Sequence, residues 1–172
     1  MQNTATKVKE PAALKTPSGF SNKDASEIAL ALNGLVADAF TLYLKTKNFH
    51  WHLSGSHFRD YHLLFDEHAD QIFASIDPLA ERVRKIGQST LKSVGDVSRT
   101  AHLKDNDKDY VSAPDMIREL LDDNRMMAES MRKCHALCDE KDDPATAGLL
   151  EIYIDETERR TWFLFEASRV AT

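Results

Sequence analysis

A chain of 172 residues, 42% hydrophobic and 29% charged with a formal net charge of −6, is long enough for one domain with a sizeable core. That balance excludes a disordered or fibrous protein. No apolar run reaches the roughly 18–20 residues of a membrane span, and the start does not read as a secretory signal, so the expectation is a cytoplasmic protein with no membrane partner.

Residues 1–20 hold Pro11, Pro17, Gly19 and scattered Lys and Thr without periodicity, and read as a flexible N-terminal arm before a folded domain over 21–172. The first 23 residues carry Lys7, Lys9, Lys15 and Lys23 against Glu10, a balance of +3, which leaves −9 for the rest. A body of that charge repels nucleic acid, so contact with DNA would come from the arm or through bound cations.

Ser21 or Asp24 can cap a first long helix, with Glu27 as a capping partner for Asp24. Ile28, Leu32, Leu35, Val36, Ala39, Leu42 and Tyr43 follow helical spacing, and the helix should stop near His52, before Ser54-Gly55. A second helix is expected from about His57 to Ile86, ending at Gly87. Pro78 interrupts it, yet the residue pattern stays in phase across the proline, so a kinked but continuous helix is expected. Residues 88–112 form a long connection in which Ser93 to His102 can make a short helix. Ser112 and Pro114 start a third long helix to about Asp139, with a core stripe of Ile117, Leu120, Leu121, Asn124, Met127, Met131, Cys134 and Leu137. Asp143-Pro144 starts a fourth to about Ala167. The expected fold is all-α: a ferritin-like four-helix bundle with a short extra helix in the long central crossover.

The chemistry concentrates in the second helix. His62 with Asp66, and Asp77 with Glu81, are each spaced i, i+4. At about 100° per residue the four lie near 0°, 40°, 60° and 100°, on one face. Asp66 and Asp77 are roughly 16 Å apart along the axis, too far to share an ion within one subunit. An antiparallel second copy would bring its acid end against this copy's histidine end, and a twofold axis would make two equal sites.

The run Asn48-Phe49-His50-Trp51-His52-Leu53-x-Gly55-x-x-Phe58-x-x-x-His62-x-x-Phe65-Asp66-Glu67, followed by Asp77-x-x-Ala80-Glu81-Arg82, closely resembles the signature of the Dps mini-ferritins, the DNA-binding proteins from starved cells. The likeness covers nearly the whole chain. It implies a ferroxidase centre at a dimer interface, with His50, His62 and Asp66 from one subunit and Asp77 and Glu81 from its mate. The chain contains no Glu-x-x-His, the motif of single-bundle di-iron sites. The resemblance further implies Fe(II) oxidation to Fe(III), preferably with hydrogen peroxide rather than O2, storage of the ferric mineral in a hollow dodecamer, and protection of DNA from oxidative damage. The alternative is a DNA-condensing nucleoid protein acting through its lysine arms, with iron oxidation secondary. Trp51 reads either as a trap for stray oxidising equivalents or as a packing aromatic. The acidic Asp139, Glu140, Asp142 and Asp143 read as a solvated turn with a helix cap or as a threefold iron-entry pore.

The remaining candidates read as structural. His52 points about 200° away from His50 on a helix. His57 and His68 are expected at the surface or an interface, and His102 and His135 in solvent. Cys134 and Cys138 are expected as reduced, half-buried small residues.

Overall fold

A computed structural model describes residues 12–169. Helix α1 spans Asn22–His52, α2 Phe58–Lys85, α3 Val94–Thr100, α4 Ala113–Glu140 and α5 Pro144–Ser168, with a single 3-10 turn at Ala12–Leu14. No strand occurs among the described residues.

The helix starts are set by short polar side chains. The Ser21 hydroxyl accepts from the Asp24 amide at 3.1 Å, so Ser21 rather than Asp24 is the cap. Ser93, Ser112 and Asp143 accept in the same way from Asp96, Asp115 and Thr146. α1 ends where Leu53 turns extended, and Gly55 at φ 115° reverses the chain in five residues. α2 runs through Pro78 without a break. It ends at Lys85, and at Gly87, φ 87°, a Cβ would stand 2.9 Å from the Thr16 carbonyl oxygen. The segment before α1 therefore lies against the end of α2, and the Arg84 guanidinium donates to the Leu14 carbonyl.

Tertiary contacts fix the topology. His50 meets His62, Glu67 meets Arg159, Lys45 meets Asp123 and Lys141 meets Glu27. Hence α1 is antiparallel to α2 and α4, and α5 to α2 and α4: up, down, down, up. The 27-residue crossover carrying α3 returns the chain along α1.

The core between the helices holds Leu32, Leu42, Phe49, Phe65, Leu79, Leu120 and Leu164. By length and composition α1 matches a membrane span over 18 residues, contrary to the sequence expectation. It is the central helix of the bundle, mostly buried, and it carries the buried Asp38 and Lys45. The buried polar groups are paired across helices. The Lys45 ammonium donates to Asp123 at 2.8 Å and reaches Glu119 at 3.0 Å. Arg160 donates to Asn124 at 3.0 Å, which explains an asparagine in the core stripe.

The expectation for His68 is corrected, that for His135 is corrected to half-buried, and His102 lies in solvent as expected but has a partner. His68 is not at the surface but 1% exposed, with neither ring nitrogen hydrogen-bonded. It falls on the buried stripe of α2 with Phe65, Ile72 and Leu79, facing Phe163 of α5. His102 has an exposed ring, but Asp38 accepts from its amide at 2.6 Å and meets its Nδ1 at 3.1 Å. His135 lies between Asp139 and Glu151, at 3.2 and 3.4 Å. Cys134 and Cys138 are free thiols, fully rather than half buried.

Candidate metal centre

The short α1–α2 connection brings the last turn of α1 against the first turn of α2. The His50 and His62 rings stack at 3.7 Å between centroids. His50 Nδ1 lies 2.9 Å from the His62 carbonyl oxygen, and His62 Nδ1 lies 3.0 Å from that of His50. A carbonyl only accepts, so each Nδ1 carries a hydrogen, which in the neutral imidazole leaves the Nε2 lone pair free. This reciprocal pair fixes both tautomers in the form that ligates metal. His50 is 8% exposed, and the Phe58 ring stacks on His62 at 5.0 Å.

Asp66, one turn beyond His62, places Oδ1 3.8 Å from His50 Nε2. Lys47, one turn before His50, donates to the same oxygen at 2.6 Å. That hydrogen bond is the chief reason the Asp66 carboxyl titrates below its usual range and the Lys47 ammonium above its own. The structure thus brings together His50, His62 and Asp66, with a protein cation seated beside them. Two imidazole nitrogens and a carboxylate suit Fe(II), a borderline ion that accepts nitrogen and oxygen donors and leaves positions open for an oxidant.

Asp77 and Glu81 do not join this group. They stand further along α2, both exposed, with Lys85 paired to Glu81 at 3.0 Å. Among the described residues no three His, Cys, Asp or Glu side chains close tightly enough to hold an ion.

The neighbouring candidates separate from the centre. Trp51 is 59% exposed. His52 is exposed and bonds the Asn48 carbonyl at 2.8 Å. In the acidic turn Asp143 is 1% exposed: it caps α5 and accepts from Arg82, so it is a structural anchor. Asp139, Glu140 and Asp142 are exposed. Lys7 and Lys9 lie outside the described residues; Lys15 and Lys23 are exposed, with Glu27 3.9 Å from Lys23. Sequence reasoning missed Lys47 and Arg82. The available signals were position i−3 from His50 and adjacency to Glu81.

Residues 29–167 match the model of the ferritin-like domain family. The chain is 32% identical over 145 residues to DNA protection during starvation protein 1 of Deinococcus radiodurans, covering 84% of this chain and 70% of that one. It is 32% identical to the DNA protection during starvation protein of Brevibacillus brevis, over 80% of this chain and 91% of the other. Among solved structures, Dps from Thermosynechococcus elongatus superposes with a TM-score of 0.84 at 27% identity, over 87% of this chain and 94% of that one. The Dps protein of Vibrio cholerae O1, described as a member of the ferritin-like diiron-carboxylate proteins, gives 0.85 at 26% identity, over 92% and 99%. With the crossover topology and the histidine pair in place, these likenesses assign the chain to the Dps family of ferritin-like proteins.

Proposed function

We propose that this protein oxidises Fe(II) and stores the ferric product, at sites completed when two copies meet about a twofold axis. His50, His62 and Asp66 of one subunit and Asp77 and Glu81 of the other bind the iron, which is substrate and cargo. The observation that carries this reading is the reciprocal His50–His62 bonding, which occupies both Nδ1 atoms and leaves the Nε2 positions for a ligand, with Asp66 3.8 Å from that of His50. The axial separation of the acid pair from the histidines supports a shared site over one within a subunit. Hydrogen peroxide, or O2, takes the electrons. Each peroxide accepts two electrons from two Fe(II) and two protons and leaves as two waters, while hydrolysis of the two Fe(III) to ferric oxyhydroxide releases six protons, a net release of four. No hydroxyl radical forms, which is the protection offered to DNA. The carboxylates stabilise the added charge of Fe(III), and Lys47 gives up its bond to Asp66 as the ion arrives. The mineral accumulates in a hollow dodecamer in the cytoplasm.

The test is Fe(II) oxidation with peroxide, followed optically, in the wild type and in Asp77→Ala with Glu81→Ala. An assembled but slow double variant is expected; an unimpaired one removes the site assignment.

A second reading, DNA condensation through Lys7, Lys9, Lys15 and Lys23, is favoured by the exposed Lys15 and Lys23 side chains and by the names of the relatives. Many weakly binding arms per particle give avidity, and the particle would then sit with the nucleoid. A gel shift at rising salt should weaken when residues 1–20 are deleted. Unchanged binding sinks the arm reading.

A further inference from the structure

We propose that Arg82 is a positioning residue for the acid half of the metal centre: its fork to the α4–α5 turn sets the rotation of α2 beyond Pro78, and so where Glu81 stands relative to Asp77. The inference rests on the metal-centre reading above and names a further part of it.

Asp77 and Glu81 straddle Pro78. Proline has no N–H, so the Ala74 carbonyl loses its helical donor, and the pyrrolidine ring crowds that same carbonyl. The helix is therefore weakest in the turn from Ala74 to Pro78, which holds Asp77, while Glu81 stands beyond it. Beyond that point Arg82 holds it from outside. Arg82 Nε donates to Thr146 Oγ1 at 2.6 Å, and Nη2 donates to Asp143 Oδ1 at 2.6 Å. Both anchors are fixed. Asp143 is 1% exposed and also accepts from the Thr146 amide at 3.0 Å and from the Thr146 hydroxyl, as the cap of α5. Charge-assisted bonds from a planar guanidinium to two acceptors define an angle as well as a distance. Glu81 precedes Arg82 directly, about 100° round the helix, so any rotation of this segment that Arg82 forbids is one that Glu81 cannot make. Leu79 and Val83 pack on the core face of the same segment. The competing account is that this apolar packing alone fixes the rotation.

The test is calorimetric titration of the assembled, full-length protein with Co2+, with circular dichroism and size exclusion on each variant. Arg82→Gln should bind Co2+ roughly tenfold more weakly, the usual cost of losing an outer-shell support. Arg82→Lys, which lacks the fork, should do little better. Pro78→Ala returns the amide to Ala74 and should restore most of the loss when combined with Arg82→Gln. In a Glu81→Ala background Arg82→Gln should cost nothing further, a non-additivity that general destabilisation does not produce. Should Arg82→Gln fail to fold because Asp143 loses its cation, Thr146→Val removes the bond to Arg82 Nε and the hydroxyl's bond to Asp143 but keeps the Arg82–Asp143 ion pair. It should show a smaller loss with the same dependence on Glu81. Unchanged affinity in Arg82→Gln or Thr146→Val, equal loss without Glu81, or no rescue by Pro78→Ala overturns the proposal. Unchanged Co2+ affinity in Asp77→Ala with Glu81→Ala overturns the metal-centre reading itself.

Discussion

The two ends of α2 carry ligand sets prepared to different degrees. At the start of the helix, His62 is stacked, tautomer-fixed and backed by a hydrogen bond from its ring to the chain of α1. Toward the other end, Asp77 and Glu81 are exposed, and Lys85 sits on Glu81. The first half is organised by contacts inside the subunit. The second is held by helical phase, by the core packing of Leu79 and Val83 and, on the proposal above, by the Arg82 anchor behind it. Imidazoles are useful as ligands only in one tautomer and one orientation, so they need the built environment; carboxylates accept from many directions and tolerate less.

The sharpest way to break this contrast is complementation. His50→Ala with His62→Ala, and separately Asp77→Ala with Glu81→Ala, should each slow Fe(II) oxidation about a hundredfold or more, since ligands matter at least as much as their supports. Refolded together, the two inactive chains should recover roughly a quarter of wild-type activity, because random pairing about a twofold axis rebuilds that share of intact sites. No recovery would place all five ligands in one subunit.

The next prediction contrasts His62 with His68, two histidines on one helix. Burial, and next the Arg160 guanidinium, hold the His68 imidazole pKa down to about 3. The folded state keeps His68 neutral, while the unfolded chain protonates it below its ordinary value of 6.5. Its contribution to stability is therefore complete above pH 6.5 and is lost as pH falls toward 3. The limiting slope is about 1.4 kcal/mol per pH unit. Chemical denaturation of His68→Leu from pH 7 to 4.5 should show a flatter decline than wild type. A parallel decline would mean that other groups carry the acid sensitivity.

The smallest expected effect concerns Lys47, the cation inside the built half. Lys47→Met removes the competitor for Asp66 and should strengthen Co2+ binding by a few-fold, roughly 1 kcal/mol. Weaker binding in the calorimeter would instead make the ammonium a support for Asp66.

Much of the architecture was legible because it is local. Ser21, Ser112 and Asp143 announce helix starts through their own hydroxyl or carboxylate chemistry. The phase of His62, Asp66, Asp77 and Glu81 survives Pro78 because the helix does. His68 was legible too, since it lies on the stripe of Phe65, Ile72 and Leu79; its residue type suggested surface, and position outweighed type. The partners of His102 and Arg82 were not legible. Asp38 and Asp143 stand 64 and 61 residues away, and only the packing of α1 under the crossover and of α5 on α2 brings them close. Buried polar groups are paired by tertiary structure, and a single sequence does not say with whom.

The five-residue turn at Gly55 has a consequence for the order of events in synthesis. His50 and His62 are 12 residues apart, so closing them costs little chain entropy and takes place as the first hairpin forms. The chain emerges from the ribosome N-terminal end first, so both histidines of this pair are made before α4 and α5. On the proposed arrangement the acids that complete it belong to another finished chain. A newborn subunit then carries half of a site and no complete catalytic centre, and oxidation waits until there is a vessel to receive the mineral.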